Sequence, residues 1–286
     1  MPDPLPLPVR VLFKGPSNIT YLTPMSGPRT DFNFARVLEA ELLEGGRPST
    51  IRTFSVPSEL AKGALKKWEA EVLGFSPDVI ALTYGQYESV HLFLPRWLER
   101  HANTQKNRPG RIRDFYRKRV VRRWWMPLAK LQARVDRSPI ATLTKSWRAQ
   151  RTVDDLEQFV RNVRGVGSPL VLIFEVLPPA KRYQSWFPGM TARIAEFNER
   201  AAAMVERLDE ADVRIVRVYP LVEEHAEGDL EVAIPDGFHW TPHMHRVIGT
   251  ELARIVAEWA DTQQHLKSPS RAVARPRRIN RSEQAG

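Results

Sequence analysis

Three residues have the types and the setting for nucleophilic chemistry. Ser17 lies in Lys14-Gly15-Pro16-Ser17-Asn18, at the end of the first apolar run and just after a glycine suited to a tight turn. Asp236 and His239 lie three apart in Pro235-Asp236-Gly237-Phe238-His239-Trp240-Thr241-Pro242, a glycine-containing loop before a helix. At that spacing a carboxylate can orient a neighbouring imidazole, which can accept a serine proton as general base. Plainer readings exist for each. Gly-Pro-Ser-Asn is an ordinary turn and helix-cap sequence, Asp236 suits a turn, and Thr241-Pro242 reads as an N-cap followed by an N1 proline. They leave unexplained why a serine turn after the first strand and an Asp-x-x-His turn after the fifth occur in one chain.

Composition narrows the chemistry. The chain has 286 residues, 42% hydrophobic, and no cysteine, so a nucleophile must be oxygen or nitrogen and disulfides are excluded. His239, His243 and His245 are close in sequence, but no carboxylate stands at the spacing of a His-Glu-x-x-His helix, and His243 and His245 fall on different sides of the predicted helix. No metal is expected. The N-terminal MPDPLPLPVRVLFKG has neither a basic leader nor a long apolar stretch, and no window approaches the roughly 20 apolar residues of a membrane span; a cytoplasmic protein is expected.

Five runs read as buried strands: Val9 to Phe13, Ile51 to Val56, Asp78 to Thr83, Pro169 to Leu177 and Val213 to Tyr219. Their continuity predicts a sheet covered on both faces. Amphipathic stretches of helical length fall near 31–44, 59–73, 88–100, 152–164, 190–210 and 243–260. This alternation, with right-handed crossovers, predicts one α/β domain over residues 1–264: a parallel, doubly wound sheet with its chemistry at the carboxyl ends of the strands.

Gly15-x-Ser17-Asn18 resembles the first block of the SGNH (GDSL) hydrolases, and Asp236-x-x-His239 their last. Gly85-Gln86-Tyr87-Glu88 resembles the third block, where that superfamily has Gly-x-Asn-Asp after its third strand. The resemblance covers about residues 9–100 and 152–260. It implies a flavodoxin-like, three-layer fold with a five-stranded parallel sheet, a seryl-ester intermediate with no cofactor, and an oxyanion hole made of the nucleophile's own N–H, a second-block N–H and the third-block Asn amide. This chain departs at three points. Pro16 stands for the usual Asp, Ser55 for the second-block glycine, and Tyr87 for the Asn. Ser55 through its N–H, and Gly85, Gln86 or Tyr87 in the third block, are therefore the candidate oxyanion and substrate-binding positions.

The net charge of +10 is uneven: residues 101–151, the insertion after the third strand, hold 15 Lys/Arg against 2 Asp/Glu. Within it, Ile112, Phe115, Tyr116, Val120, Trp124, Leu128, Leu131 and Val135 recur at helical steps among arginines and lysines, and Pro127 interrupts them. A basic amphipathic helix over 111–135 is the expectation. Four roles stay open: a solvated helical hairpin, a lid on an acyl pocket, a peripheral contact with an anionic membrane, or a grip on the phosphates of acyl-CoA or an acyl carrier protein. Nucleic acid is not expected, since no binding motif accompanies the charge. Residues 265–286 read as a disordered basic tail. The functions implied are cleavage of a small-molecule or glycolipid O-acyl ester, transfer of its acyl group to a sugar or other alcohol, or a non-catalytic binding module that kept the fold.

Overall fold

The computed structural model describes residues 7–23, 28–57, 59–90, 141–185 and 187–267, with isolated positions between 119 and 134. Five parallel strands, β1 (Val9–Gly15), β2 (Ser49–Ser55), β3 (Val79–Leu82), β4 (Leu170–Phe174) and β5 (Val213–Val216), form one sheet in the order β2-β1-β3-β4-β5. The α/β reading with a parallel sheet is thus correct. In this order the chain reverses direction between β1 and β3, and the crevice outside their carboxyl ends is where such folds place ligands.

Alternation along the strands feeds two apolar layers. Val9, Val11 and Phe13, with Val79, Ala81, Leu170 and Leu172, meet α1 (Phe34–Glu44) and the last long helix, Pro242–Thr262. Leu12, Ile80, Leu82, Val171 and Ile173 meet α2 (Ala61–Trp68), a helix over Ala141–Arg164 (α4) and one over Met190–Leu208 (α5). A short α3 (Gln86–Val90) follows β3, and Pro242–Thr262 is α6. Val153, Leu156, Val160 and Val163 on α4, and Met244, Ile248, Leu252 and Val256 on α6, keep the three- and four-residue steps that turn one stripe inward. Full burial of one such leucine contributes about 1.5–3 kcal/mol.

Caps set the helix starts. Asn33 Oδ1 accepts from the N–H groups of Ala35 and Arg36, so α1 begins three residues later than the apolar pattern suggests. Thr241 caps α6 with Pro242 in its first turn, as expected. Other expectations need correction. β2 is an edge strand whose burial alternates, so it is not covered on both faces. The stretch 59–73 is α2 followed by a π-helical turn, Glu69–Leu73. Helix α4 starts at Ala141 and runs through residue 151, so no element boundary separates the insertion there. Gln264–Lys267 forms a helical turn with Leu266 fully buried, which moves the ordered chain past residue 265; the rest of the tail lies outside the described residues. So does nearly all of 91–140, including the basic helix expected over 111–135. No helix among the described residues is long and apolar enough to cross a membrane.

Two contacts lock α1 and α6 to each other. Gly249 lies against α1 so closely that a Cβ there would be 2.5 Å from Val37 Cβ and 2.8 Å from the Phe34 carbonyl oxygen. His245, fully buried, stacks on Phe34 with ring centroids 5.3 Å apart, and its Nδ1 accepts from the Phe34 N–H at 3.0 Å. Burial pushes the His245 imidazole down from its ordinary 6.5 to about 4.

Gly249→Ala is expected to lower Tm: overpacking of this kind costs about 1–3 kcal/mol, against only about 1 kcal/mol of helix propensity gained. Calorimetry checks it, and an unchanged or raised Tm contradicts the close approach. His245 gives a pH signature. Between the folded value of about 4 and the unfolded 6.5 only the unfolded chain takes up the proton, so stability should fall as pH drops through that window. His245→Asn, whose Oδ1 can still accept from Phe34, should flatten denaturant midpoints between pH 6.5 and 4; an unaltered slope assigns the effect elsewhere.

Candidate active site

β1 ends on Gly15, and Pro16 leads into a 3-10 turn, Ser17–Ile19, that lifts Ser17 above the carboxyl edge of the sheet. The end of β2 braces this turn. Val56 N–H donates to the Gly15 carbonyl at 3.0 Å, and the Ser55 hydroxyl donates to the Pro16 carbonyl at 3.0 Å while lying 2.9 Å from Thr20 Oγ1. The histidine loop is held separately: Gly237 N–H donates to the Ile234 carbonyl at 2.7 Å and Thr241 N–H to that of Ala233 at 3.1 Å. Gly237 has φ +82, a left-handed turn that glycine takes without strain. A backbone bond joins the two loops, from Thr23 N–H to the Trp240 carbonyl at 3.0 Å.

Ser17 Oγ lies 3.0 Å from His239 Nε2, and His239 Nδ1 lies 2.6 Å from Asp236 Oδ2. The other carboxylate oxygen, Oδ1, accepts from the N–H groups of Phe238 at 2.9 Å and His239 at 2.7 Å. Burial alone would push this carboxyl up. The His239 ring bond and charge and the two N–H donors outweigh it and hold Asp236 at about 2, well below 3.8. An ionised Asp236 requires Nδ1 to carry the proton, which leaves Nε2 bare toward the serine hydroxyl. The Tyr21 ring stacks on the imidazole, centroids 5.5 Å apart, and His245 Nε2 contacts the Tyr21 carbonyl at 3.4 Å. The three residues selected from the sequence thus meet in one relay.

A small pocket open to solvent lies beside Ser17 and His239, whose sequence neighbours line it. Its wall on the β1/β3 side is Asn18, Thr83 and Gln86; Phe238 and Trp240, the neighbours of His239, line it with Phe174, Glu175, Val176, Leu177 and Ile234, and Glu175 Oε2 accepts from the N–H groups of Val218 and Tyr219. Gly85 makes the turn after β3 with φ +114, and a Cβ there would strike the Phe197 ring. Gln86 is in the wall; Tyr87 is not. Ser55 is also absent from it, and its hydroxyl instead holds the nucleophile turn. Glu88, the third-block acid, accepts from Gly85 N–H at 3.0 Å and from Ala61 N–H at 2.7 Å, so it fixes the turn and the start of α2.

Sequence reasoning missed three participants. Tyr21 carried no motif. Thr83 was counted only as strand, yet its hydroxyl donates to Asn18 Oδ1 at 3.0 Å. Lys14 is fully buried beneath the turn, ion-paired with Glu71 and 3.7 Å from Glu59 Oε2, which also accepts from the Tyr84 hydroxyl at 2.8 Å. The signal for Lys14 was a cation in a strand whose other side chains are all apolar beyond Arg10. His243 and His245 do fall on opposite sides of α6, exposed and buried respectively. Among the described residues no group of three or more His, Cys, Asp or Glu is placed to hold a metal ion.

No protein-family model matches the chain, and no curated protein does. Solved structures do. A lipase/acylhydrolase from Enterococcus faecalis superposes with a TM-score of 0.55 at 12% identity, covering 88% of this chain and 96% of that one. The esterase EstA from Pseudoalteromonas sp. gives 0.52 at 11% identity, covering 88% and 98%. A GDSL-like lipase from Bacteroides thetaiotaomicron gives 0.50 at 12% identity, covering 87% and 88%. At these identities the likeness speaks for the fold, and the chain has the fold of the SGNH (GDSL) lipases and acylhydrolases.

Proposed function

We propose that the chain is a serine esterase that cleaves a carboxylic O-acyl ester through a seryl acyl-enzyme. The observation that carries this reading is the unbroken relay Ser17–His239–Asp236, with contacts of 3.0 and 2.6 Å. In the first half-reaction Ser17 Oγ bonds to the ester carbonyl carbon while its proton passes to His239 Nε2. The carbonyl π electrons move onto oxygen. As the double bond reforms, the bond to the alcohol breaks and the alkoxide takes the proton from His239. Water then repeats the sequence against the acyl-serine and frees the acid. Asp236 stays ionised throughout and stabilises the imidazolium that forms twice in each cycle. The superposing structures, those of a lipase/acylhydrolase, an esterase and a GDSL-like lipase, support the same class of reaction. The apolar part of the pocket, Phe174, Val176, Leu177, Ile234, Phe238 and Trp240, suits the acyl side of the ester.

A second reading keeps the acyl-enzyme and delivers it to an alcohol. Its support is the charge of residues 101–151, which suits the phosphates of acyl-CoA or of a carrier's prosthetic arm. The two share one covalent intermediate and differ in the acceptor.

Incubation with a fluorophosphonate, read by intact mass, should add one phosphonyl group to the wild type and none to Ser17→Ala; no adduct on the wild type, or an equal one on the variant, sinks both readings. Given acyl-CoA and a sugar acceptor, the enzyme should release mostly free acid, and predominant acyl-sugar would replace hydrolysis by transfer. Asp236→Asn should still fold but lose kcat on the order of 10⁴-fold, the loss seen when a triad aspartate can no longer fix the imidazole tautomer. Retention of kcat within a few fold would remove Asp236 from the mechanism.

A further inference from the structure

An attacked ester carbonyl develops negative charge on its oxygen, and an esterase needs hydrogen-bond donors waiting where that oxygen will lie. The third block does not supply the expected amide: Tyr87 stands in the Asn position and does not line the pocket. The pocket wall nearest the nucleophile turn holds two other carboxamides.

The first is Asn18, next to the nucleophile in the same 3-10 turn. Ser17 is committed to His239, while the Asn18 side chain runs the other way, to β3, where its Oδ1 accepts from the Thr83 hydroxyl at 3.0 Å. That bond occupies the carbonyl end of the amide. The Nδ2 end has no acceptor among the described residues and belongs to a residue that lines the pocket. The second is Gln86, only 7% exposed, in the same wall and with no side-chain hydrogen bond among the described residues. A carboxamide in a pocket wall with no internal acceptor has N–H groups to offer a ligand there.

We infer that the Asn18 carboxamide, aimed by Thr83, is the oxyanion donor that replaces the absent third-block amide, with Gln86 a second donor from the same wall. The inference rests on the serine esterase reading. Asn18 gives a hydrogen bond only: the carbonyl electrons move onto oxygen as the Ser17 Oγ–carbon bond forms, the Oγ proton goes to His239, and the Asn18 N–H stays on nitrogen. Thr83 is a positioning residue, and Gly15 makes its approach possible, since a Cβ on residue 15 would lie 1.9 Å from Thr83 Oγ1.

Hydrolysis of p-nitrophenyl acetate by the full chain tests this. Asn18→Ala and Asn18→Asp should each lower kcat on the order of 10²- to 10³-fold, with KM within a few fold. The Asp variant is isosteric and can still accept from Thr83, so it guards against a simple folding defect. Thr83→Val should lower kcat by a smaller factor, and Thr83→Ser should restore it. Asn18→Asp holding wild-type kcat within about two-fold, or Tyr87→Phe losing kcat while Asn18→Ala keeps it, overturns the assignment of Asn18 but leaves the esterase standing. A wild type that neither turns over nor takes the phosphonate fails at Ser17 instead, and the donor assignment falls with it.

Discussion

The parallel ladder between β1 and β3 is the constraint on which the site depends. Its last pairing is Lys14 with Leu82, and directly beyond it the backbone of Gly15 passes under Thr83 with no room for a side chain. Any other residue at 15 would push β3 or its threonine aside. That contact decides where the nucleophile turn starts, which way Asn18 can reach, and how wide the crevice between the two strands opens. The topological switch between β1 and β3 accounts for the existence of a crevice. The missing Cβ accounts for its shape.

Beneath the crevice the support is ionic. Lys14 on β1, Tyr84 after β3, Glu59 before α2 and Glu71 in the π-helical turn form one buried cluster, and Lys67 reaches Glu59 at 3.0 Å from the solvent side. Clusters of this kind add little net stability relative to an apolar core, but loss of one partner leaves a stranded charge and costs about 3–5 kcal/mol. Its geometric effect is to tie together the two strand ends that carry Ser17 and Gln86. On the α1/α6 side and between the loops the ties are uncharged: His245 to Phe34, Tyr21 over His239, and Thr23 to Trp240.

Much of this was legible from residue types. The five parallel strands follow from apolar runs alternating with amphipathic stretches, and the grouping of Ser17 with Asp236 and His239 from turn glycines, the Asp-x-x-His spacing and the block resemblance; the order of the strands came from the structure. The Thr241-Pro242 cap was readable from its residue types. What escaped depended on pairs remote in sequence. Gly15 looked like a turn glycine, yet it has no left-handed φ and is glycine because Thr83, 68 residues on, needs the space. Gln86 and Tyr87 were equal candidates until the turn at Gly85 sent one to the pocket and the other elsewhere. Ser55 read as a backbone donor because its block position suggested it, and its hydroxyl is used as a brace. The helical turn at Gln264–Lys267 was hidden because a single buried leucine is too short a pattern to stand out from a polar tail.

The relay also has a temporal side. Ser17 and its base are 222 residues apart, and nearly the whole sheet lies between them. During synthesis the serine and its turn emerge first, and four further strands must follow before the loop that carries His239 leaves the ribosome. Since domains fold as units while they are made, a partly synthesised chain displays the hydroxyl with no imidazole to activate it. Under the esterase proposal activity waits for completion: a truncated or stalled product that lacks α6 and the loop before it retains a serine of ordinary reactivity.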